Sequence, residues 1–263
     1  MLLKVSVPFL RLSNKSESVS KVSTLFYHSL SFKSKQKVLD EIYEVYKTSS
    51  LTLNKDEFEK SFLNTEGAQV CLFYNKINGL VGFINSSIIF IENEKNKKHA
   101  VFCAGVFFRQ GFKGGKLAVL FGFSQYLKFK IRNMMTPISY VTLVSNPAVY
   151  KLLAENAYRL YPVKNRKTPK YVHTIFDRIV EARNISLIDR DNYLALSQAV
   201  PKHASRLSRS ENLALSPYAQ FFNQMNPDYS QGKAMLVFIE LNMISFVLGT
   251  YKCIKNIIVS TKS

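Results

Sequence analysis

Three apolar runs in close succession constrain the fold of this chain more than any other feature. They read "AQVCLFY", "GLVGFINSSIIFIEN" and "KHAVFCAGVFF", and the turn-like segments "NKING" and "NEKNKK" separate them. Their β-branched and aromatic content is typical of strands, and short polar turns join antiparallel neighbours. We therefore predict three successive antiparallel strands. The third, His99 to Phe108, belongs in the middle of a sheet because both of its faces are apolar.

The segments around these runs alternate between helical and extended patterns. "MLLKVSVPFLRLS" is interpreted as a first strand, since Lys4 and Pro8 make it a poor signal peptide. Residues 18 to 64 are predicted to be helical, with Asn54 as an N-cap. After the third strand we predict a glycine turn, a helix with apolar positions from Leu117 to Ile131, and a strand "ISYVTLV". A further helix follows, capped by Asn146.

Beyond residue 162 the pattern is looser. We predict helices around residues 170 to 183 and 189 to 199, then a basic loop "PKHASRLSRSEN", and finally an apolar strand followed by a helix. The apolar stretch "AMLVFIELNMISFVLGTY" is interpreted as strand and helix because Glu240 and Asn242 would be costly in lipid. We expect residues 1–162 to form one domain and residues 163–263 an extension that packs on it.

Composition limits the compartment and the chemistry. The chain has 263 residues, 47% of them hydrophobic, so it can bury a full core. Cys71, Cys103 and Cys253 are far apart and odd in number, which argues against a disulfide framework or a zinc site. Cys103 lies inside an apolar strand and is expected to be an inert core thiol. We expect a cytoplasmic protein without a metal.

The net charge of +18 is unevenly distributed. No Asp or Glu occurs from Lys95 to Ala154, whereas ten lysines and arginines do. A positive field of this kind attracts polyanions such as phosphorylated cofactors, nucleic acid, acidic carrier proteins or anionic lipid. A solvated lysine-rich surface without a ligand is the alternative interpretation.

The glycine turn "RQGFKGG", from Arg109 to Gly115, lies within this positive stretch. Free amides at a helix N-terminus bind anions, and glycine lets the backbone approach the ligand closely. The sequence fits a phosphate-binding turn and an ordinary tight strand-to-helix turn equally well. On the first interpretation, a side chain placed at Gly114 lowers ligand binding and leaves stability almost unchanged.

The order of these elements resembles the GNAT superfamily of acyl-CoA-dependent N-acyltransferases. In that family a turn of the form Arg/Gln-x-x-Gly-x-Gly/Ala holds the cofactor pyrophosphate, and "RQGFKGG" is a near match. "SNPAVYKLLAENAYRLYP" is similar to a second family segment, Asn-x-x-Ala-x-x-Leu-Tyr-Glu-Lys-x-Gly-Phe, with Asn146, Leu152 and Tyr158 at matching positions. The resemblance implies an α/β fold with a mixed, mostly antiparallel sheet flanked by helices, and a mainly helical C-terminal extension.

The resemblance also implies a site. The backbone of residues 104–107 would pair with the pantetheine arm of a thioester donor, and the turn would hold its phosphates. The implied cofactor-binding residues are Val106, Phe107, Arg109, Gly111, Phe112, Lys113, Gly114, Gly115, Lys116 and Asn146. Leu153 and Ala154 replace the family's Tyr and Glu, so Tyr150, one turn away, is the candidate general acid. Glu92 is the candidate general base, with His99 as a second choice.

The function that the resemblance implies is N-acyl transfer from acyl-CoA, or from an acidic acyl carrier protein, to an amine. Acceptors that are neutral, zwitterionic or embedded in acidic partners are favoured because the positive field repels polycations. The alternative is a catalytically inactive GNAT-like module that contacts an acidic partner or nucleic acid through "KNRKTPK" and "KHASRLSRS". A third hypothesis attaches the C-terminal apolar segment and its lysines to a membrane surface. The sequence does not indicate an oligomeric state.

Overall fold

A computed structural model describes residues 19–49, 53–65, 67–77, 79–92, 97–109, 112, 114–197 and 211–242. The predicted first strand, the basic loop and the predicted C-terminal helix therefore lie mainly or wholly outside the described residues. Among the described helices, none combines the length and the hydropathy needed to span a bilayer.

The described residues form nine strands and seven α-helices. The strands are β1 (Lys21–Phe26), β2 (Gln69–Tyr74), β3 (Leu80–Glu92), β4 (Lys98–Phe108), β5 (Ile138–Val144), β6 (Leu160–Tyr161), β7 (Leu187–Asp189), β8 (Leu194–Leu196) and β9 (Lys233–Leu241). The helices are α1 (Phe32–Ser49), α2 (Lys55–Phe62), α3 (Gly115–Arg132), α4 (Pro147–Asn156), α5 (Lys170–Ala182), α6 (Glu211–Ala214) and α7 (Pro217–Met225).

All nine strands belong to one mixed, mostly antiparallel sheet. Its order is β1-β2-β3-β4-β5-β9-β8-β7, and β6 pairs with β9 beside β8. The described neighbouring strands are antiparallel except β4 and β5, which are parallel. The sheet continues past residue 162, because β9 lies directly against β5. Helices cover both faces, so the fold is α/β, with a sheet that is flanked by helices as predicted.

Most of the predicted elements are confirmed. β2, β3 and β4 are successive antiparallel strands, β5 has the predicted bounds, and α3, α4 and α5 follow where expected. The prediction of helices throughout residues 18 to 64 was wrong at β1, an edge strand with most of its side chains exposed. The prediction of a helix at 189 to 199 was also wrong, because the described residues there form the end of β7, a turn and the three-residue strand β8.

Side-chain alternation divides the core between the two faces of the sheet. On one face α1 and α2 cover β2 to β4, and α5 covers β4, β5 and β9. On the other face α3 covers β2 to β5, and α4 and α7 cover β5 and β9. α3 buries its aromatic side, including Phe121 and Phe129, while the predicted apolar positions Leu120, Leu127 and Ile131 are exposed.

Local hydrogen bonds fix the starts of two helices as predicted. The Asn54 side chain accepts a hydrogen bond from the Glu57 N–H, and the Glu57 carboxylate accepts one from the Asn54 N–H, which completes a capping box. The Asn146 side chain accepts a hydrogen bond from the Ala148 N–H at 2.8 Å, and Pro147 begins α4.

Phe108 explains why two nearby positions are glycine. A Cβ atom on Gly82 or on Gly114 would overlap the Phe108 ring, which lies between β3 and the start of α3. Gly114 is buried and has a φ of −84°, so its backbone does not itself require glycine. The expectation that a side chain at Gly114 would leave stability almost unchanged was wrong, because that space is filled by an aromatic ring.

We predict that Gly114→Ala lowers the free energy of unfolding by about 1–3 kcal/mol, the usual cost of overpacking. Urea unfolding of the full chain measures the loss. In a Phe108→Leu background the same substitution should cost less, because the obstructing ring is gone. Gly122→Ala is the matched control in α3: an added Cβ there meets nothing within 4 Å, so better helix propensity should make it neutral or stabilising. Equal stability of Gly114→Ala and the unmodified chain would contradict this packing.

Candidate active site

A cleft opens between the two parallel strands in the middle of the sheet. β4 and β5 pair over only four positions, from Ala100 with Ile138 to Cys103 with Val141. Beyond these positions β4 continues to Phe108 and β5 to Val144, but they no longer pair with each other. Each strand stays paired on its outer side, β4 with β3 and β5 with β9. The predicted divergence of these strands is therefore confirmed.

The backbone of β4 directs polar groups into this cleft. The Ala100 N–H donates to Pro137 O on the β5 side, and the Ala104 C=O accepts the Thr142 hydroxyl at 3.3 Å. The Arg109 N–H instead donates to Val81 O at the start of β3. Because successive strand residues direct their backbone groups to opposite neighbours, Val106 directs its N–H and C=O toward the cleft. An extended ligand could therefore pair with β4 as an added strand.

Helix α3 begins just beyond the end of β4. Its first intrahelical bond runs from the Ala118 N–H to Gly114 O, so the N–H groups of Gly115, Lys116 and Leu117 have no partner within the helix. The first turn of α3 contains no acidic residue. These amides, together with the helix dipole, favour a negative charge at this end of the cleft.

The structure describes only part of the predicted phosphate turn. The Phe112 N–H donates to Arg109 O at 3.2 Å, and the Arg109 Nε donates to Leu80 O at 2.9 Å. Gly111 and Lys113 lie outside the described residues. For Gly115 and Lys116 the structure describes the helical backbone alone. Arg109 is therefore anchored to β3, and the Phe112 amide is already used within the turn.

The remaining predicted cofactor-binding residues lie on both sides of the divergence. Val106 is 43% exposed on β4, whereas Phe107 is buried against the aromatic cluster under α1 and α2, stacked on Phe83 with ring centroids 4.9 Å apart. Asn146 follows β5 and is buried as the cap of α4. Of these three residues, Val106 is the one whose side chain is open to solvent.

Glu92, the predicted general base, is the last residue of β3 and lies at the end of the β3–β4 pair that is farther from the cleft. It is opposite Lys98, at the start of β4, and is exposed. Six residues separate Lys98 from Ala104, which corresponds to about 20 Å along an extended strand. The structure therefore does not bring Glu92 to the cleft. Neither β4 nor β5 contains an Asp or a Glu.

Tyr150, the predicted general acid, is fully buried. Its hydroxyl donates to Pro162 O at 2.6 Å, and its ring packs against Phe221 and Phe222 of α7. Burial raises the pKa of this phenol, and the neighbouring Tyr218 adds to the effect. The contacts hold α4 against α7 and the segment after β6, which is a structural role.

Of two other titratable groups of β4, one is buried in the core and the other lies at the far end of the β4–β5 pair. The Cys103 thiol is buried at the last paired position, and burial raises its pKa, consistent with an inert core thiol. His99 Nε2 lies 3.0 Å from Ser139 Oγ, at the opposite end of the β4–β5 pair. Within the described residues, no group of three His, Cys, Asp or Glu side chains could hold a metal ion.

Thr142 is the residue that sequence reasoning missed. Its hydroxyl bonds to the Ala104 carbonyl where the strands separate, so it satisfies one backbone group that β5 no longer pairs. A threonine in a strand is common because β-branched residues suit extended backbone. The sequence therefore gives no signal for this role.

His99 makes stability depend on pH. Burial, with a smaller contribution from Lys130, lowers the pKa of His99 from 6.5 to about 4. Between these two values the unfolded chain binds a proton that the folded chain does not, so the free energy of unfolding should fall as the pH falls from about 6.5 to about 4.

We predict that His99→Gln flattens this dependence, measured by urea unfolding at several pH values, because Gln does not titrate. The unmodified chain, measured at the same pH values, is the reference. An identical slope in His99→Gln and the unmodified chain would contradict the assignment.

The chain has matches among solved structures. No family model and no curated protein sequence matches the chain. Among solved structures, it is similar to an acyl-CoA N-acyltransferase from Pseudomonas aeruginosa, with 11% identity over 58% of this chain and 93% of that chain and a TM-score of 0.34. It is also similar to an acetyltransferase of the GNAT family from Staphylococcus aureus, with 15% identity over 57% and 91% and a TM-score of 0.34.

A third similar structure is a GNAT family N-acetyltransferase from Escherichia coli in complex with CoA, with 12% identity over 53% of this chain and 69% of that chain and a TM-score of 0.32. Scores this low do not carry residues or substrates across to this chain. Its own order of elements, β4, turn, α3, β5 and capped α4, is the order that the resemblance to the GNAT superfamily implies.

Proposed function

We propose that the chain is an N-acyltransferase that binds a thioester donor in the β4–β5 cleft and transfers its acyl group to an amine. The observation that carries this proposal is the divergence of β4 and β5 after four paired positions, which leaves the backbone of Val106 directed toward the cleft without a partner on β5. In this proposal the pantetheine arm of acyl-CoA pairs with β4, and the first-turn amides of α3 hold the phosphates.

Bonds and protons balance in the proposed transfer. The amine nitrogen attacks the thioester carbonyl carbon, a C–N bond forms, the C–S bond breaks, and the thiolate takes up a proton while the amine loses one. Since β4 and β5 contain no carboxylate, we propose that the amine arrives neutral or loses its proton to water.

The absence of a carboxylate on β4 and β5 also favours a second candidate function, a module that binds the thioester without turning it over. Both functions need the cleft to bind a donor, and they differ in the chemical step. An acidic acyl carrier protein remains a candidate donor for either function, because the segment from Lys95 to Ala154 contains no acidic residue.

Thermal shift of the full chain with CoA, acetyl-CoA, a long-chain acyl-CoA and an acylated carrier protein tests donor binding. A ligand at a hundred times its dissociation constant stabilises the folded state by about 2.7 kcal/mol, so a binding donor should raise the melting temperature measurably. Release of free thiol in the presence of mixed amines then separates the transferase from the binding module. No shift with any of the four donors would refute both.

A backbone substitution tests whether β4 pairs with the donor. Val106→Pro removes the N–H that faces the cleft but no N–H that faces β3, and it should weaken CoA binding about tenfold or more. The matched control Val106→Ala keeps the N–H and removes part of a 43% exposed side chain, so it should bind CoA like the unmodified chain. Calorimetric titration measures both.

Urea unfolding must first show that the proline variant is folded. If it is folded and binds CoA normally, the donor does not pair with β4. If it is unfolded, Val106→Trp replaces it: a large side chain at this exposed position should obstruct the donor, and unaltered CoA binding would count against the cleft.

A further inference from the structure

A second concave surface lies away from the cleft, between the segment that follows α4 and the start of α5. This pocket has a volume of about 450 Å³, and its lining is unusually rich in aromatic and basic side chains: Tyr158, Arg159, Tyr161, Arg166, Pro169 and Tyr171. It borders Glu240 of β9, which is opposite Ser139 at the start of β5, whereas the cleft opens beyond Val141. The pocket therefore lies at the other end of β5.

The aromatic part of the pocket contains one buried tyrosine ring and two partly exposed ones. Tyr161 is buried, and the Tyr161 and Tyr171 rings both pack on Phe238, with centroids 6.4 Å and 6.0 Å away. Tyr171 still exposes 39% of its surface and Tyr158 exposes 42%. Tyr171 is a partly exposed ring on an ordered support, which suits stacking against a planar ring, and Tyr158 adds a second partly exposed ring.

The charged part is only partly neutralised. Arg159 donates to the Glu240 carboxylate at 3.2 Å and lies 5.6 Å from the Tyr158 ring centroid. The other oxygen of Glu240 accepts a hydrogen bond from Asn242 at 2.8 Å. None of the ion pairs between described residues involves Arg166, which is exposed on the pocket rim. Lys164, Lys167 and Lys170 flank it in sequence and are also exposed.

This combination selects a class of ligand. Arginine with an exposed guanidinium binds phosphate in a bidentate manner, and tyrosine rings stack on nucleobases. A purely anionic ligand would use the arginines and leave the rings exposed, and an aromatic ligand without charge would leave Arg166 unpaired. We propose that the pocket binds a nucleotide unit, with its base against Tyr158 and Tyr171 and its phosphate at Arg166. The unit is either a free nucleotide or one residue of a single-stranded nucleic acid.

The site is independent of the proposed acyl transfer, and it is tested by binding alone. The probe is a fluorescently labelled single-stranded RNA of about ten nucleotides, within the usual footprint of such sites, and the readout is anisotropy with the full chain. Tyr158→Leu should weaken binding about tenfold, whereas Tyr158→Phe, which keeps the ring, should bind like the unmodified chain. Because Tyr158 is exposed, neither change removes a core contact.

The charge is tested separately by the dependence of affinity on salt. Arg166→Gln should reduce the magnitude of the slope of log K against log salt concentration by about 0.7, the value for one phosphate contact to a single strand. Arg178→Gln is the matched control, since it removes one exposed arginine of α5 outside the pocket and should leave the slope unchanged.

Two competitors distinguish the sources of the ligand. If adenosine 5′-monophosphate displaces the RNA and Tyr158→Leu weakens its binding too, a free nucleotide is sufficient; if only the oligonucleotide binds, the unit belongs to a strand. Either result supports the proposal that the pocket binds a nucleotide unit. Three results would overturn the proposed nucleotide site. They are equal RNA binding by Tyr158→Leu and the unmodified chain, equal competition by inorganic polyphosphate or by an acidic peptide, and no RNA binding at low salt.

Discussion

The short pairing between β4 and β5 is the constraint on which the rest of the molecule depends. Two parallel strands that separate after four positions lose backbone hydrogen bonds, and buried unpaired groups are costly. The outer sides keep complete ladders, where β3 pairs with β4 over eleven positions and β9 pairs with β5 over seven, so both strands stay extended. Thr142 satisfies one further carbonyl at the point of separation. The cleft is thus held open by two well-formed half-sheets.

This arrangement gives the C-terminal part of the chain a direct role in the cleft. β9 is the partner that keeps β5 extended, and α7 packs on α4 through Tyr150, Phe221 and Phe222. An edge strand in place of the β5–β9 pair would be free to close onto β4 or to pair with another chain. Residues 233–241 therefore stabilise the cleft without lining it.

Local patterns were enough to predict the central elements, and non-local packing decided what could not be predicted. The strands β2 to β5 and the caps Asn54 and Asn146 follow from composition and short-range chemistry. The role of Gly114 depends on Phe108, a ring from another element, and the distance of Glu92 from the cleft depends on strand register. Lys130, one of the basic residues between Lys95 and Ala154, donates to the carbonyls of Met134 and Thr136 after α3, a contact that the charge count does not reveal.

The composition of the cleft strands also restricts the acceptor under the proposed function. With no carboxylate on β4 or β5 to take a proton, the rate depends on how much of the amine is already neutral. An α-amino group has a pKa of about 8 and a lysine side chain one of about 10.4, so at pH 7 roughly one in ten of the former is neutral and fewer than one in a thousand of the latter. Under the proposed function, the lack of a carboxylate on β4 and β5 therefore favours α-amines or other weakly basic amines over lysine side chains as acceptors.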